Sequence, residues 1–104
     1  MAKQLTGHNY RFDLGDLTVR FTFDSPARGS FVVERGGGGL APDGHAETVA
    51  LNLQEIREGV YLNSWTEASG ATVTHLEDFE NGKLYSNVTV DGKLYNFIGT
   101  IKEA

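Results

Sequence analysis

The chain has 104 residues, of which 39% are hydrophobic and 22% charged, with no cysteine and a formal net charge of −5 at pH 7. A single core suffices at this length, so we expect one domain over residues 1–104. Without cysteine, disulfides and thiolate metal sites are excluded, and the acidic balance disfavours a nucleic-acid partner because phosphate binding needs a basic face. No window approaches the roughly 18 apolar residues of a membrane span and no signal-peptide core follows Met1, so we expect a cytoplasmic protein without a membrane partner.

The first two predicted strands follow a period of two. Residues 8–14 and residues 17–23 alternate apolar and polar side chains, and Gly15-Asp16 forms the turn between them. A turn around Pro26 then leads to a short third strand over residues 30–35. The second strand has the clearest pattern, and its odd positions are expected to face the core: Leu17, Val19, Phe21 and Phe23.

Four consecutive glycines, Gly36 to Gly39, follow the third strand and precede a Pro-Asp-Gly turn at residues 42–44. No side chain in this run can bury surface to offset the entropy of ordering, so the first interpretation is a mobile loop. The second is a lid over a cavity, because long loops in small domains are often functional. A phosphate-binding loop would need a helix with Lys and Ser or Thr directly after the glycines, and that context is missing.

The rest of the chain reads as further strands. Residues 48–56 alternate again, although the part from Leu53 onward could form a helical turn. Residues 59–101 contain four runs rich in β-branched and aromatic residues, and the last two turns, Asn81-Gly82 and Asp91-Gly92, favour tight hairpins because both central residues can take positive φ. The sequence predicts an all-β fold, a single antiparallel up-and-down β-barrel of about eight short strands. Such a barrel encloses packed side chains or one small ligand.

Several runs in the second half of the chain carry a family resemblance. They are Tyr61-Leu-Asn-Ser-Trp65-Thr-Glu67, Thr72-Val-Thr-His-Leu-Glu-Asp78-Phe, Asn81-Gly82, Tyr85-Ser-Asn87-Val-Thr and Phe97-Ile-Gly99-Thr-Ile-Lys. These runs resemble the MoaF-like family, which is named for a protein linked to molybdenum-cofactor biosynthesis. The resemblance implies a small calycin-type barrel, similar in architecture to lipocalins and fatty-acid-binding proteins. It brings no established catalytic residue to this chain.

The strand that begins near Val60 has two faces, and the sequence leaves open which one is interior. One face carries Val60, Leu62, Ser64 and Thr66, and the other carries Tyr61, Asn63, Trp65 and Glu67. If the second face points inward, Trp65 supplies a flat surface and an N–H donor, while Asn63 and Glu67 can fix polar atoms of a ligand. If the first face points inward, Trp65 is exterior and could form part of a dimer face. Trp65 could also be a core residue whose N–H binds a backbone carbonyl.

His75 shares a face of the following strand with Glu77, and such a pair could exchange protons or ligate a metal. The chain has only three histidines, and their spacing shows no convergence of three or four ligands, so no metal site is predicted. Glu77, Asp78 and Glu80 are interpreted as a solvated strand end that resists edge pairing. No serine lies in a Gly-x-Ser-x-Gly context, and we predict neither a catalytic residue nor a cofactor.

The sequence therefore predicts a binding module, a barrel that holds a small, partly apolar molecule in or at its mouth. The expected ligand-binding residues are Tyr61, Asn63, Trp65, Glu67, His75 and Tyr95. The first alternative is a non-catalytic protein-interaction or oligomerisation barrel with a filled core, for example a homodimer. The second alternative is an enzyme in which His75 transfers protons together with Glu67 or Glu77.

Overall fold

The computed structural model describes residues 4–104, and every regular element in this range is a β-strand. There are nine: β1 (Asn9–Asp13), β2 (Leu17–Ser25), β3 (Arg28–Gly36), β4 (Ala46–Ala50), β5 (Asn52–Arg57), β6 (Val60–Thr66), β7 (Thr72–Asp78), β8 (Lys83–Val90) and β9 (Lys93–Glu103). All pairs are antiparallel, in the order β4-β3-β2-β1-β9-β8-β7-β6-β5. The sheet curls into a nearly closed barrel, which confirms the predicted fold. No helix that could cross a membrane occurs in residues 4–104.

The segment predicted as one strand over residues 48–56 is two strands, β4 and β5, separated at Leu51. β4 pairs with β3, whereas β5 pairs with β6. The alternation of Val49, Leu51 and Leu53 continues through the bend, so the sequence pattern does not reveal the change of partner. The helical turn expected from Leu53 onward is wrong, because those residues form β5.

The two ends of the sheet are connected by this bend and by one hydrogen bond to a side chain. β4 and β5 are the two ends of the sheet, yet only Leu51 separates them in the chain. Glu47 lies on β4, and its carboxylate accepts a hydrogen bond from the Ala68 backbone N–H at 2.6 Å. The same carboxylate contacts Nε2 of the nearby His45 at 2.9 Å. Because Ala68 lies in the β6–β7 turn, Glu47 connects β4 to that turn across the seam.

The two predicted tight turns differ in geometry. Asp91 and Gly92 have φ values of 51° and 77°, as expected for the β8–β9 hairpin. Asn81 does not have positive φ, since Asp91 is the one non-glycine residue between 4 and 104 that does. The prediction for Asn81 is therefore wrong. The β7–β8 loop is longer than a two-residue turn, and Asp78 Oδ1 holds it by accepting the backbone N–H groups of Glu80 at 3.1 Å and Asn81 at 3.0 Å.

The interior confirms the facing predicted for β2 and decides the question left open for β6. Phe21 and Phe23 are fully buried, and Tyr61, Asn63 and Trp65 all point inward. One end of the barrel is filled by an aromatic plug, defined as Tyr10, Phe23, Tyr61 and Phe79. Its ring centroids lie 4.9 Å apart for Tyr10 and Phe79 and 5.8 Å apart for Tyr61 and Phe79. Any internal space must therefore lie toward the other end.

We predict that Gly29→Ala destabilises the fold through a steric clash in this core. A Cβ atom at Gly29 would lie 2.4 Å from Cζ of the buried Phe21 ring, and the backbone of Gly29 is not in the positive-φ region. Overpacking of this kind costs about 1–3 kcal/mol of unfolding free energy, measurable by urea denaturation. Introducing Gly29→Ala into a Phe21→Leu background should cost less, because the shorter side chain leaves room. An equal cost in both backgrounds would contradict the clash.

Candidate functional site

A cavity of about 90 Å³ lies inside the barrel. No member of the aromatic plug lines it, so it occupies the opposite end. Thirteen of its lining residues are apolar: Phe12, Leu14, Leu17, Val19, Phe31, Val33, Leu40, Ala41, Trp65, Ala71, Val73, Val88 and Val90. The others are His45, Glu67, Ser69, His75 and Ser86, and no lysine or arginine of the described chain is among them. The cavity is thus an apolar space with a few polar groups and no fixed cation.

The glycine-rich loop between β3 and β4 covers part of this cavity through Leu40 and Ala41. The backbone N–H groups of both residues bind the Gly36 carbonyl, at 2.9 and 3.1 Å. A Cβ at Gly36 would lie 1.7 Å from the Ala41 carbonyl oxygen, so a glycine is needed for this close approach. The loop therefore lies in the position that a lid over the cavity would occupy. No helix follows it within residues 4–104, as a phosphate-binding loop would require.

A carboxylate lies in the centre of the barrel. Glu77 has no exposed area, and its Oε2 atom accepts a hydrogen bond from Asn63 Nδ2 at 3.2 Å and contacts His75 Nδ1 at 3.1 Å. The interpretation of Glu77 as part of a solvated strand end is wrong. In β7 the alternation that buries Val73 and His75 also turns Glu77 inward, whereas Asp78 holds the following turn.

The contact with Glu77 determines the chemistry of His75. When Glu77 is ionised, its Oε2 atom can only accept, so the proton of the pair lies on His75 Nδ1. The opposite ring nitrogen, Nε2, is an acceptor in a neutral ring and a donor in a protonated ring, and no hydrogen bond joins it to a described residue. The rings of Phe12 and Trp65 pack edge-on to the imidazole, with centroids at 5.3 and 5.0 Å. His75 therefore lines the cavity in a fixed orientation.

Ser86 lies directly across the β7–β8 ladder from His75. It is 2% exposed and lines the cavity, and among the described residues its hydroxyl has no hydrogen-bond partner. An unsatisfied buried hydroxyl costs about 1–3 kcal/mol. The sequence analysis did not select Ser86, although a serine between the inward-facing Leu84 and Val88 is a polar interruption of an apolar face.

Trp65 and Glu67 form the other polar contact of the cavity. Trp65 Nε1–H donates to Glu67 Oε2 at 3.1 Å, so the indole binds a carboxylate rather than the backbone carbonyl considered for it. Burial raises the pKa of the Glu67 carboxyl, and the nearby Glu47 raises it further, while the hydrogen bond from Trp65 acts in the opposite direction. The indole N–H is not left to stabilise an oxyanion, since it donates to a carboxylate.

The six predicted ligand-binding residues do not form one group. Trp65, Glu67 and His75 line the cavity. Asn63 does not line it but donates a hydrogen bond to Glu77, which contacts His75. Tyr61 belongs to the aromatic plug. Tyr95 is half-buried and does not line the cavity; the Lys93 ammonium lies 5.2 Å from the centre of its ring. In the described part of the chain no three His, Asp or Glu side chains come together as metal ligands.

We predict that Glu67→Gln raises the free energy of unfolding more at pH 7 than at pH 3.5. The folded carboxyl has the higher pKa, so its ionisation opposes folding once the pH exceeds the unfolded value of about 4.3. Glutamine still offers an oxygen to the Trp65 N–H but cannot ionise. Denaturation at both pH values measures the difference, with the exposed Glu80→Gln as the control, for which we expect less than about 0.5 kcal/mol. A wild-type protein that is more stable than Glu67→Gln at pH 7 would contradict this prediction.

Comparison with known proteins places the chain in a family. Its residues 6–102 match the model of the family described as MoaF-like. Comparison with curated protein sequences gives no match. Among solved structures, a protein from Burkholderia vietnamiensis named "putative beta-lactamase" is similar, with a TM-score of 0.88 and 20% identity over 100% of this chain and 99% of the other. At that identity the likeness concerns the fold alone. The family match covers nearly the whole sequence, and the chain belongs to the MoaF-like family.

Proposed function

We propose that this protein binds a small, partly apolar molecule in the cavity at the open end of its barrel. The observation that carries the proposal is the pairing of an apolar cavity of about 90 Å³ with a buried hydroxyl, that of Ser86, which no described residue satisfies. Ligand sites are typically apolar spaces with a few convergent polar groups. Ser86, His75 and Glu67 are such groups. In this proposal the barrel holds a ligand in its interior, as lipocalin-like barrels do.

The size of the cavity limits the occupant. An engineered cavity of about 150 Å³ in another protein holds benzene, so 90 Å³ suits a few heavy atoms or one ring that reaches toward the mouth. Leu40 and Ala41 of the β3–β4 loop would cover such a ligand. The proposal includes a cytoplasmic location, and its support is the cysteine-free sequence.

We predict that filling the cavity removes the ligand. Ala71 is 7% exposed and lines the cavity, so Ala71→Leu places three more carbon atoms inside it. Native mass spectrometry of protein purified without denaturation should show a retained small molecule on the wild type and none on Ala71→Leu. Ala46→Leu is the matched control, because Ala46 is exposed at the start of β4 and the same change there leaves the cavity intact.

Two results together would contradict the binding proposal. One is a wild-type protein that carries no extra mass. The other is a two-dimensional NMR spectrum in which neither toluene nor phenol shifts the resonances of cavity residues relative to those of Ala71→Leu. The cavity would then be a packing defect rather than a binding site.

A second candidate function is self-association, which an exposed apolar row on the outer face favours. Leu62, Leu76, Tyr85 and Ile98 are paired in register across β6, β7, β8 and β9. Ile98 is 71% exposed and Tyr85 44% exposed. Apolar side chains that form a contiguous exposed row often mark an interface. The partner in this candidate is a second copy of the chain.

If the row is a dimer interface, Ile98→Lys should convert a dimer into a monomer because it buries an unpaired charge at the contact. Size-exclusion chromatography with light scattering would report twice the chain mass for wild type and the single-chain mass for the variant. Val32→Lys is the control, since Val32 is also exposed but lies on β3, away from the row. A monomeric wild type at high protein concentration would end this candidate.

A further inference from the structure

We propose that the ligand of this cavity is a small, uncharged aromatic molecule that binds through a hydroxyl group, with the hydroxyl between His75 Nε2 and Ser86 Oγ. The inference rests on the proposed function and adds the chemical class of the ligand. Among the polar groups that line the cavity, some donors and acceptors are already hydrogen-bonded within the protein, and others have no partner among the described residues.

The nitrogen donors next to the cavity are engaged by carboxylates. His75 Nδ1–H binds Glu77, and Trp65 Nε1–H binds Glu67. Two of the polar residues that line the cavity have an atom without a hydrogen-bond partner among the described residues: His75 at Nε2, and Ser86 at its hydroxyl, which can donate and accept. A ligand hydroxyl matches this pair, because it can donate to Nε2 while it accepts from Ser86.

The register of the sheet brings the two groups within reach of one ligand atom. Ser86 and His75 are direct partners across the β7–β8 ladder, and both side chains point inward. Side chains paired in this way have Cβ atoms about 4.5–5.5 Å apart. The two side chains therefore start from neighbouring points of the barrel wall, and the proposal places one ligand oxygen between them.

The charges around the cavity disfavour an anionic ligand. The lining contains the Glu67 carboxyl and no lysine or arginine from the described residues, and the buried Glu77 lies directly behind His75. A carboxylate or phosphate would have to lose its water without a cation to replace it. A ligand of the fatty-acid type is thus a poor match for this barrel.

The remaining walls suit an aromatic ring. Phe12, Trp65 and Val88 border the same space as Ser86, and the two aromatic side chains can meet a ligand ring in offset or edge-on contact. One ring with one hydroxyl is compatible with the volume of about 90 Å³ when the ring reaches toward the mouth of the barrel.

The test compares ligands that differ in one group. Phenol and toluene are nearly equal in size, and the chain has a single tryptophan, so the one indole N–H signal in the NMR spectrum reports binding beside the cavity. We expect phenol to bind wild type at least about fivefold more tightly than toluene. In a cavity without a polar partner the order would be reversed, because the hydroxyl would lose its water without compensation.

The variant Ser86→Ala tests the residue. We expect it to weaken phenol binding by about three- to tenfold and to leave toluene binding unchanged or tighter. Its melting temperature should at least equal that of the wild type, because the substitution removes an unsatisfied hydroxyl. Ser64→Ala, the same change on the outward face of β6, is the matched control and should alter neither affinity.

The outcomes separate this inference from the proposed function. Equal binding of toluene and phenol would overturn the hydroxyl class while leaving a binding cavity. Tighter binding of benzoate than of the neutral benzamide, or of benzylammonium than of phenol, would overturn the uncharged class. Binding of none of these compounds would overturn this inference, and together with a wild-type protein that carries no extra mass it would also contradict the proposed function.

Discussion

The structure depends on one buried carboxylate, that of Glu77. An isolated charge inside a protein costs several kcal/mol unless it is paired and hydrogen-bonded. Asn63 on β6 and His75 on the same strand as Glu77 both contact its Oε2 atom, so three inward positions of two neighbouring strands are polar for one reason. The Oε1 atom has no hydrogen-bond partner among the described residues. The same contact orients the imidazole, so that His75 lines the cavity in a fixed orientation.

The two ends of the barrel are held by different interactions. At one end the aromatic rings around Phe79 fill the space. At the other end the walls are the glycine-rich loop and the β6–β7 turn, joined to β4 through the hydrogen bond from the Ala68 N–H to Glu47. The cavity and the aromatic plug are therefore separate parts of the same interior.

Alternation of apolar and polar residues predicted the strands, and it predicted the facing of β2 because Leu17, Phe21 and Phe23 leave only one interior face. It could not do so for β6, where both faces mix polar and apolar residues, since facing there depends on Asn63 meeting Glu77 from another strand. The same long-range contact explains why Glu77 was misread as solvated. The sequence pattern also did not predict the bend at Leu51, because the alternation of side chains continues when the chain passes from one partner strand to another.

Ser86 is a residue that lowers the stability of the interior and lines the cavity. An alanine or valine at that position would continue the apolar face of β8 and avoid an unsatisfied hydroxyl, at a gain of about 1–3 kcal/mol. Positions at which a chain departs from the locally favoured residue are expected where a site demands it. Here the departure lies opposite His75, which lines the same cavity. Asn63 Oδ1 and Glu77 Oε1 are likewise without a hydrogen-bond partner in the described chain, but neither residue lines the cavity, whereas Ser86 does. The proposed ligand would therefore satisfy the Ser86 hydroxyl and not the other two atoms.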